Sequence, residues 1–291
     1  MLYLLLSFVI KLISYIPFSI LYIISNCLYT IVYNLFRYRR KLVRKNLIES
    51  FPQKSTKEII SIETKFYQHF CDLILETIKL YTISPKDIKL HMKFKNVEDI
   101  KVSQRSGKSI ALFLGHYGNW EWISSLPIWL DSNIIGAQIY HELRNKTLDQ
   151  LMLTIRGRMG SSNIEMRKTA RFVNTQANLG NVCTIGFIAD QSPTKKDAKH
   201  FLHFLNHTTP VLVGTEKIIK RYDYEPWFVK VTRKKRGFYE AEFIKMHENA
   251  QNLDDYKLTS IYYDLLEEMI CMCPELYLWT HNRFKHAKYN T

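Results

Sequence analysis

Residues 109–122 read SIALFLGHYGNWEW. The run from Ile110 to Leu114 is short and continuously apolar, and it stops at Gly115. That grammar suits a β-strand buried on both faces, which carries no alternation of polar and apolar residues. Directly beyond it come His116 and, five positions later, Glu121 between Trp120 and Trp122. A titratable pair at the end of a buried strand is the feature around which the rest of the chain is arranged.

Outward from this strand the same grammar recurs. NVCTIGFIADQS (181–192) is a second apolar run ending in polar residues, and EPWFVKVTRK (225–234) and GFYEAEFIKM (237–246) read as further strands. NWEWISSLPIWL (119–130) and LTSIYYDLLEEMICMCPEL (258–276) read as helices. Strands alternating with helices predict an α/β domain around a central sheet over residues 90–291. Upstream, residues 37–89 read as basic and amphipathic helix. Ser55 with Glu58 three residues on is a capping-box pattern ahead of Ile59, Ile60, Phe66, Phe70, Leu73, Ile74 and Ile78 at near-helical spacing. Pro85 ends that run by disfavouring helix in the residue before it.

Residues 1–36 carry one charge, Lys11, and the stretch from Leu12 to Phe36 is 25 residues without any. Its length suffices to cross a bilayer, and the basic cluster RYRRKLVRK that follows suits the cytoplasmic side and anionic headgroups. Pro17 and several polar residues also allow a broken helix or one lying in the interface. The absence of a basic start and of a small-residue cleavage site argues against a signal peptide. A membrane anchor at 1–36 is the expectation.

The formal charge is +14, from 41 Lys and Arg against 27 Asp and Glu, which calls for an acidic partner. A nucleic-acid binder would explain the charge but not the apolar start, and no basic-aromatic interleaving of an RNA-recognition sheet occurs. A non-catalytic membrane scaffold is the other alternative. Five cysteines at 27, 71, 183, 271 and 273, with only a C-x-C pair, suggest reduced thiols and no metal site.

In sheets of this kind ligands gather beyond the carboxyl ends of the strands, which places His116 and Asp190 at one edge. His116 is a natural general base. Glu121, in the first turn of the next helix, is positioned to accept from one ring nitrogen while the other faces a substrate hydroxyl. Arg158 in IRGRMG, with Arg156 competing, is the candidate for an oxyanion or a substrate phosphate, and Asp190 for positioning Arg158 or closing the active-site edge. No G-x-S-x-G elbow occurs to mark a serine nucleophile. By itself H-x4-E is a common pattern.

Its surroundings are not common. GHYGNWEW resembles the H-x4-[DE] signature of the glycerolipid acyltransferase superfamily, in the form found among the late acyltransferases of lipid A biosynthesis, the lauroyl and myristoyl type. RRKLVRKNLIESFP (39–52), IADQSP (188–193), FLNHTTPVLVGTEKIIKR (204–221) and CPELYLWTHNRFK (273–285) are similar to other segments of that branch, in the same order, over residues 1 to 287. Departures fall on Asn206, Leu276 and Asn282, where the branch has Gly, Gln and Arg.

The resemblance implies a central mixed sheet flanked by helices. It also implies transfer of a fatty acyl chain from an acyl carrier protein thioester, a co-substrate rather than a cofactor, to a hydroxyl of a lipid A precursor, directly and without a covalent acyl-enzyme since no nucleophile elbow is present. The acceptor alternatives are an aminoacyl or ornithine-type lipid and a lysophospholipid. The implied partners are an acidic carrier protein, which the basic run 217–236 suits by charge, an anionic glycolipid or phospholipid acceptor, and the cytoplasmic face of the inner membrane of a Gram-negative cell. No nucleic acid, no cofactor and no metal are expected. Trp279, His281, Arg283 and Lys285 in the tail suit lipid headgroups at a membrane edge.

Overall fold

The apolar run Ile110–Leu114 is a strand buried along its whole length, lying beside a second, largely buried strand, Cys183–Ile188. The computed structural model describes residues 2–288. In chain order the strands are β1 (Met92–Lys95), β2 (Ile110–Leu114), β3 (Ile135–Tyr140), β4 (Ser162–Glu165), β5 (Cys183–Ile188), β6 (His200–Phe204), β7 (His207–Val211), β8 (Glu225–Lys235) and β9 (Phe238–Lys245). The helices are α1 (Leu2–Tyr15), α2 (Phe18–Tyr29), α3 (Arg40–Ser50), α4 (Thr56–Lys79), α5 (Pro85–His91), α6 (Val97–Arg105), α7 (Lys146–Gly157), α8 (Thr169–Asn178), α9 (Gly214–Tyr222) and α10 (Lys257–Met272).

Seven strands form one sheet in the order β1-β9-β8-β2-β5-β3-β4. Every neighbouring pair is parallel except β8 with β9, so the sheet is mixed, as expected. β2 and β5 sit in its middle, which is why both are built almost wholly of apolar residues, Thr184 being the polar exception. The segment 204–221, read only as a family stretch, contains β7 and the tip of a separate β6–β7 hairpin. Asn206 stands at that tip with φ 63°, a left-handed conformation that Asn tolerates better than most residues, so the Gly-to-Asn departure leaves the turn intact.

Local signals upstream hold closely. Ser55 caps α4 by accepting from the Glu58 amide while the Glu58 carboxylate accepts from the Ser55 amide, the reciprocal box its sequence predicts. Pro85 opens α5 behind a Ser84 cap. Residues 119–130 differ: Trp120–Trp129 is a 3-10 segment, capped by Asn119 and containing Pro127, which has no backbone donor.

The N-terminus is not one long helix. Pro17 separates α1 from α2, and α2 continues as a π-helical segment, Thr30–Leu35. Both helices pack on α4, and Lys79 and Thr82 reach the last carbonyls of α1: Lys79 Nζ lies 3.0 Å from Ser14 O and 2.9 Å from Ile16 O, a cation at the negative end of a helix. Polarity here is inverted. Ser14 and Ser25 are buried against the protein, Ser25 donating to Asp72 at 2.6 Å, whereas Leu5, Phe8, Ile23 and Leu35 face outward, with Ile23 63% exposed. Phe18–Leu35 is long and apolar enough, by length and composition, to cross a membrane. α1, 14 residues or about 21 Å, falls short of a hydrocarbon core of about 30 Å.

Candidate active site

Register brings the site together. β2 and β5 are parallel with Leu114 opposite Ile188, so the residues two beyond each strand end, His116 and Asp190, emerge side by side. His116 Nδ1 lies 2.7 Å from Asp190 Oδ1, and the His116 backbone amide donates to Asp190 Oδ2 at 3.2 Å. An ionised carboxylate can only accept, so Nδ1 carries the proton and Nε2 presents its lone pair. Nε2 opens on a cleft of about 880 Å³, where the side-chain amide of Gln191 stands 3.3 Å from it. Burial alone would raise the Asp190 carboxyl; the charge and hydrogen bonds of His116, with Arg283 further off, outweigh that and hold it below the usual range.

The strand ends themselves are clamped. Tyr262 and Tyr263, adjacent on α10, donate to Leu114 O at 2.6 Å and Ala189 O at 2.9 Å, carbonyls left over where the ladder stops. Gly115 lies against α10, where a Cβ would come 2.6 Å from Leu266 Cδ1, and Gly118 takes φ 59° in the turn after the histidine. The tail then pairs with this loop: Leu278 N–H donates to His116 O at 3.0 Å and Gly118 N–H to Leu276 O at 2.9 Å. Asn46 on α3 holds that tail in turn, donating to Trp279 O and His281 O, both at 3.0 Å. Three segments far apart in sequence, 39–52, 115–122 and 273–285, are thus one structural unit.

Four sequence expectations change here. Glu121 does not hold the His116 ring; Asp190 does. Glu121 instead accepts from Arg156, Nε at 2.7 Å and Nη2 at 2.6 Å, and from Trp120 Nε1 at 3.0 Å. Burial pushes its carboxyl up, but the charge and bonds of Arg156 win and keep it ionised. Asp190, correspondingly, positions the histidine and no arginine.

Of the two arginines, Arg156 is the one in the cleft. Arg158 donates Nε to Leu80 O at 2.8 Å, outside it. Two residues apart at the end of a helix point about 200° apart, so only one of the pair can face the site.

Trp279 and Arg283 are buried, each 1% exposed, and reach no membrane edge. Trp279 donates to Pro274 O at 2.7 Å, and Arg283 to Thr209 Oγ1 at 2.8 Å and the Tyr263 hydroxyl at 3.3 Å. The tail folds back over the sheet edge to satisfy the His116 loop, and its aromatic and basic side chains are consumed in doing so. His281 and exposed Lys285 do line the cleft, with Arg39 and Arg144. Burial lowers His281 to about 4, so it stays neutral and its Nε2 accepts from the Ser192 amide at 3.2 Å.

The basic run 217–236 is also partly spent internally. Lys220 pairs with Asp255, Lys230 with Glu268, Lys234 with Glu240 and Arg236 with Asp72. In the N-terminal cluster, Arg40 and Arg44 both engage buried Glu63. Sequence reading passed over Gln191, Asn119 and Glu76, all close to the site loop. Gln191 lies inside the quoted IADQSP, but nothing local marks it as a neighbour of His116. No group of three or more His, Cys, Asp or Glu side chains suited to a metal occurs among the described residues.

No curated protein matches the chain. The family model described as bacterial lipid A biosynthesis acyltransferase matches it over residues 1–286.

Proposed function

The chain belongs to the bacterial lipid A biosynthesis acyltransferase family, and from that premise we propose that it moves a fatty acyl chain from an acyl carrier protein thioester to a hydroxyl of a lipid A precursor. The observation that supports this reading is the His116–Asp190 couple, with Nε2 open to a deep, largely apolar cleft. The hydroxyl oxygen attacks the thioester carbonyl carbon while Nε2 takes its proton. The tetrahedral intermediate collapses, the carbon–sulfur bond breaks, and the imidazolium returns the proton to the departing thiolate. Asp190 stabilises the transient imidazolium. The Gln191 amide occupies the place a hydroxyl would take, so substrate displaces it and leaves an N–H donor beside the reacting carbonyl. The Glu121–Arg156 pair, its carboxylate buried and its guanidinium half-buried, walls the cleft with fixed charge.

The apolar walls, Leu112, Leu126, Ile139 and Ile188 among them, suit an acyl chain, and Arg39, Arg144 and Lys285 suit an anionic headgroup. The exposed lysines 195, 196, 199, 285 and 288 border the same cleft or its flanking segments and offer an acidic carrier protein a docking face. The protein is expected to work on the cytoplasmic face of the inner membrane.

Purified protein incubated with acyl carrier thioester and a lipid A precursor should yield a precursor heavier by one acyl chain in mass spectrometry. Consumption of thioester with no change in the precursor, and acylation instead of an ornithine-type lipid or a lysophospholipid, would move the acceptor. Folded protein that transfers to none of them removes the reading.

The inverted polarity of α1 and α2 supports membrane association by their outward faces, since exposed leucine, isoleucine and phenylalanine gain from lipid what they lose in water. Ile23→Glu should weaken partition onto anionic phospholipid vesicles by at least about tenfold, the loss of one buried isoleucine being roughly 1.5–3 kcal/mol. Co-sedimentation measures it, and unchanged partition by a folded variant would rule out this face.

A further inference from the structure

Behind the site loop, α4 presents His69, Asp72 and Glu76 on one face, at the i, i+3 and i+7 spacing of a helix stripe. His69 Nε2 lies 3.1 Å from Gly118 O. Asp72 takes Ser25 of α2 and the Arg236 guanidinium. Glu76 is 1% exposed, and three neutral donors converge on its carboxyl group: Tyr22 of α2 on Oε1 at 2.9 Å, and Asn119 Nδ2 at 2.8 Å with the Tyr239 hydroxyl at 2.9 Å on Oε2. Its own carbonyl accepts from Trp122 Nε1 at 2.9 Å, and Asn119 Oδ1 caps the Trp122 amide at 3.0 Å. Residue 76 therefore grips the loop from 119 to 122 twice, once by side chain and once by backbone.

A carboxylate is an uneconomical way to fill a buried space unless its acceptor character is needed. Here it is: the Asn119 amide nitrogen can only donate, both tyrosine hydroxyls donate in this arrangement, and a carboxylate accepts from all three at once. We propose that Glu76 is a positioning residue, whose buried carboxylate joins the outward-facing helix α2 to the loop carrying His116 and Glu121 and fixes that loop for reaction. Tyr22 is the link on the helix side and Asn119 the link on the site side, so the seating of α2 is felt at the reacting histidine.

Protonation rearranges the network, because the carboxyl proton needs an acceptor and one tyrosine hydroxyl must turn to supply it. The charged groups facing Glu76 are Asp72 on its own helix and Arg236 beyond β8; the groups from α2, β9 and the loop are neutral. Burial first, and then Asp72, push Glu76 up to about 7, against the three hydrogen bonds. Its folded value exceeds the unfolded one of about 4.3. The protonated form's contribution to stability is therefore fully present below about 4.3 and is lost as pH climbs through 7, so the ionised carboxylate that orders the loop is held at a cost in stability.

The kinetic arm rests on the acyl-transfer reading; the thermal and fluorescence arms do not. Glu76→Gln should lower kcat by roughly 10–100-fold, as misplacement of a reacting group does, with the KM for the thioester within about twofold. The part of the kcat pH profile that Glu76 contributes near pH 7 should be missing from that variant's. The exchange Glu76→Gln with Asn119→Asp restores one donor facing one acceptor and keeps a cap for Trp122, so it should recover most of the rate. Independently, the melting temperature of Glu76→Gln relative to wild type should improve between pH 5 and pH 8. A component of tryptophan fluorescence titrating near pH 7 should vanish with Glu76.

Wild-type kcat in Glu76→Gln, or a loss the exchange leaves untouched, would overturn the positioning role. Identical thermal and fluorescence titrations in the two proteins would overturn it whether or not the reaction is the one proposed. Should Glu76→Gln fail to fold, Tyr22→Phe carries the test: it removes one donor, should lower kcat several-fold and shift the fluorescence titration upward, and an unchanged kcat and titration would sink the link to α2.

Discussion

His116→Ala is expected to cut acyl transfer by roughly 10²–10⁴-fold, the range general-base groups contribute, while leaving the fold in place. The side chain is partly exposed in the cleft, and its loss breaks one bond to Asp190 and the contact with Gln191. The surrounding loop keeps its backbone bonds to the tail, to Asp190 and to His69. The measurement is kcat with a carrier thioester, set beside the melting temperature. A variant that melts like wild type and still transfers at near-wild-type rate would remove the histidine, and with it the mechanism, from the reaction.

The second large effect separates two carboxylates. Asp190→Asn keeps the shape but reverses the chemistry, because the Asn amide can donate to Nδ1. The ring then settles with its proton on Nε2, and the lone pair that faces the cleft is gone. In a serine-protease triad the equivalent change costs about 10⁴ in kcat, and a loss of roughly 10²–10⁴ is expected here on the same ground. Glu121→Gln alters a carboxylate that is bound to Arg156 and Trp120 and leaves the ring tautomer alone. It should cost clearly less in rate, and should show instead as reduced stability from a half-buried Arg156 charge left without its partner. Equal or reversed losses would mean that Glu121, and not Asp190, holds the ring during turnover.

Both experiments turn on a distinction between local and non-local information. The sequence by itself determined the strands on either side of the site, the capped start of α4, the helix break at Pro85 and the α/β class. Each of these follows from a pattern within ten or twenty residues: an unbroken apolar run, a Ser-x-x-Glu cap, a proline. It also placed His116 and Asp190 at one sheet edge, since both follow apolar strands.

What only the tertiary structure decided was partnership. Glu121, five residues from the histidine, reads as its natural mate, yet the mate is Asp190, 74 residues away, because the parallel register of β2 and β5 aligns their ends. Helical phase sends Arg156 into the cleft and Arg158 to Leu80. The tail's tryptophan and arginine are buried because that segment returns to pair with the His116 loop. Glu76 sits in an ordinary amphipathic helix and carries no local mark; three donors from three distant elements single it out. Secondary structure is written in short-range sterics and periodicity, whereas the identity of a hydrogen-bond partner depends on how whole elements pack, which no window of sequence contains.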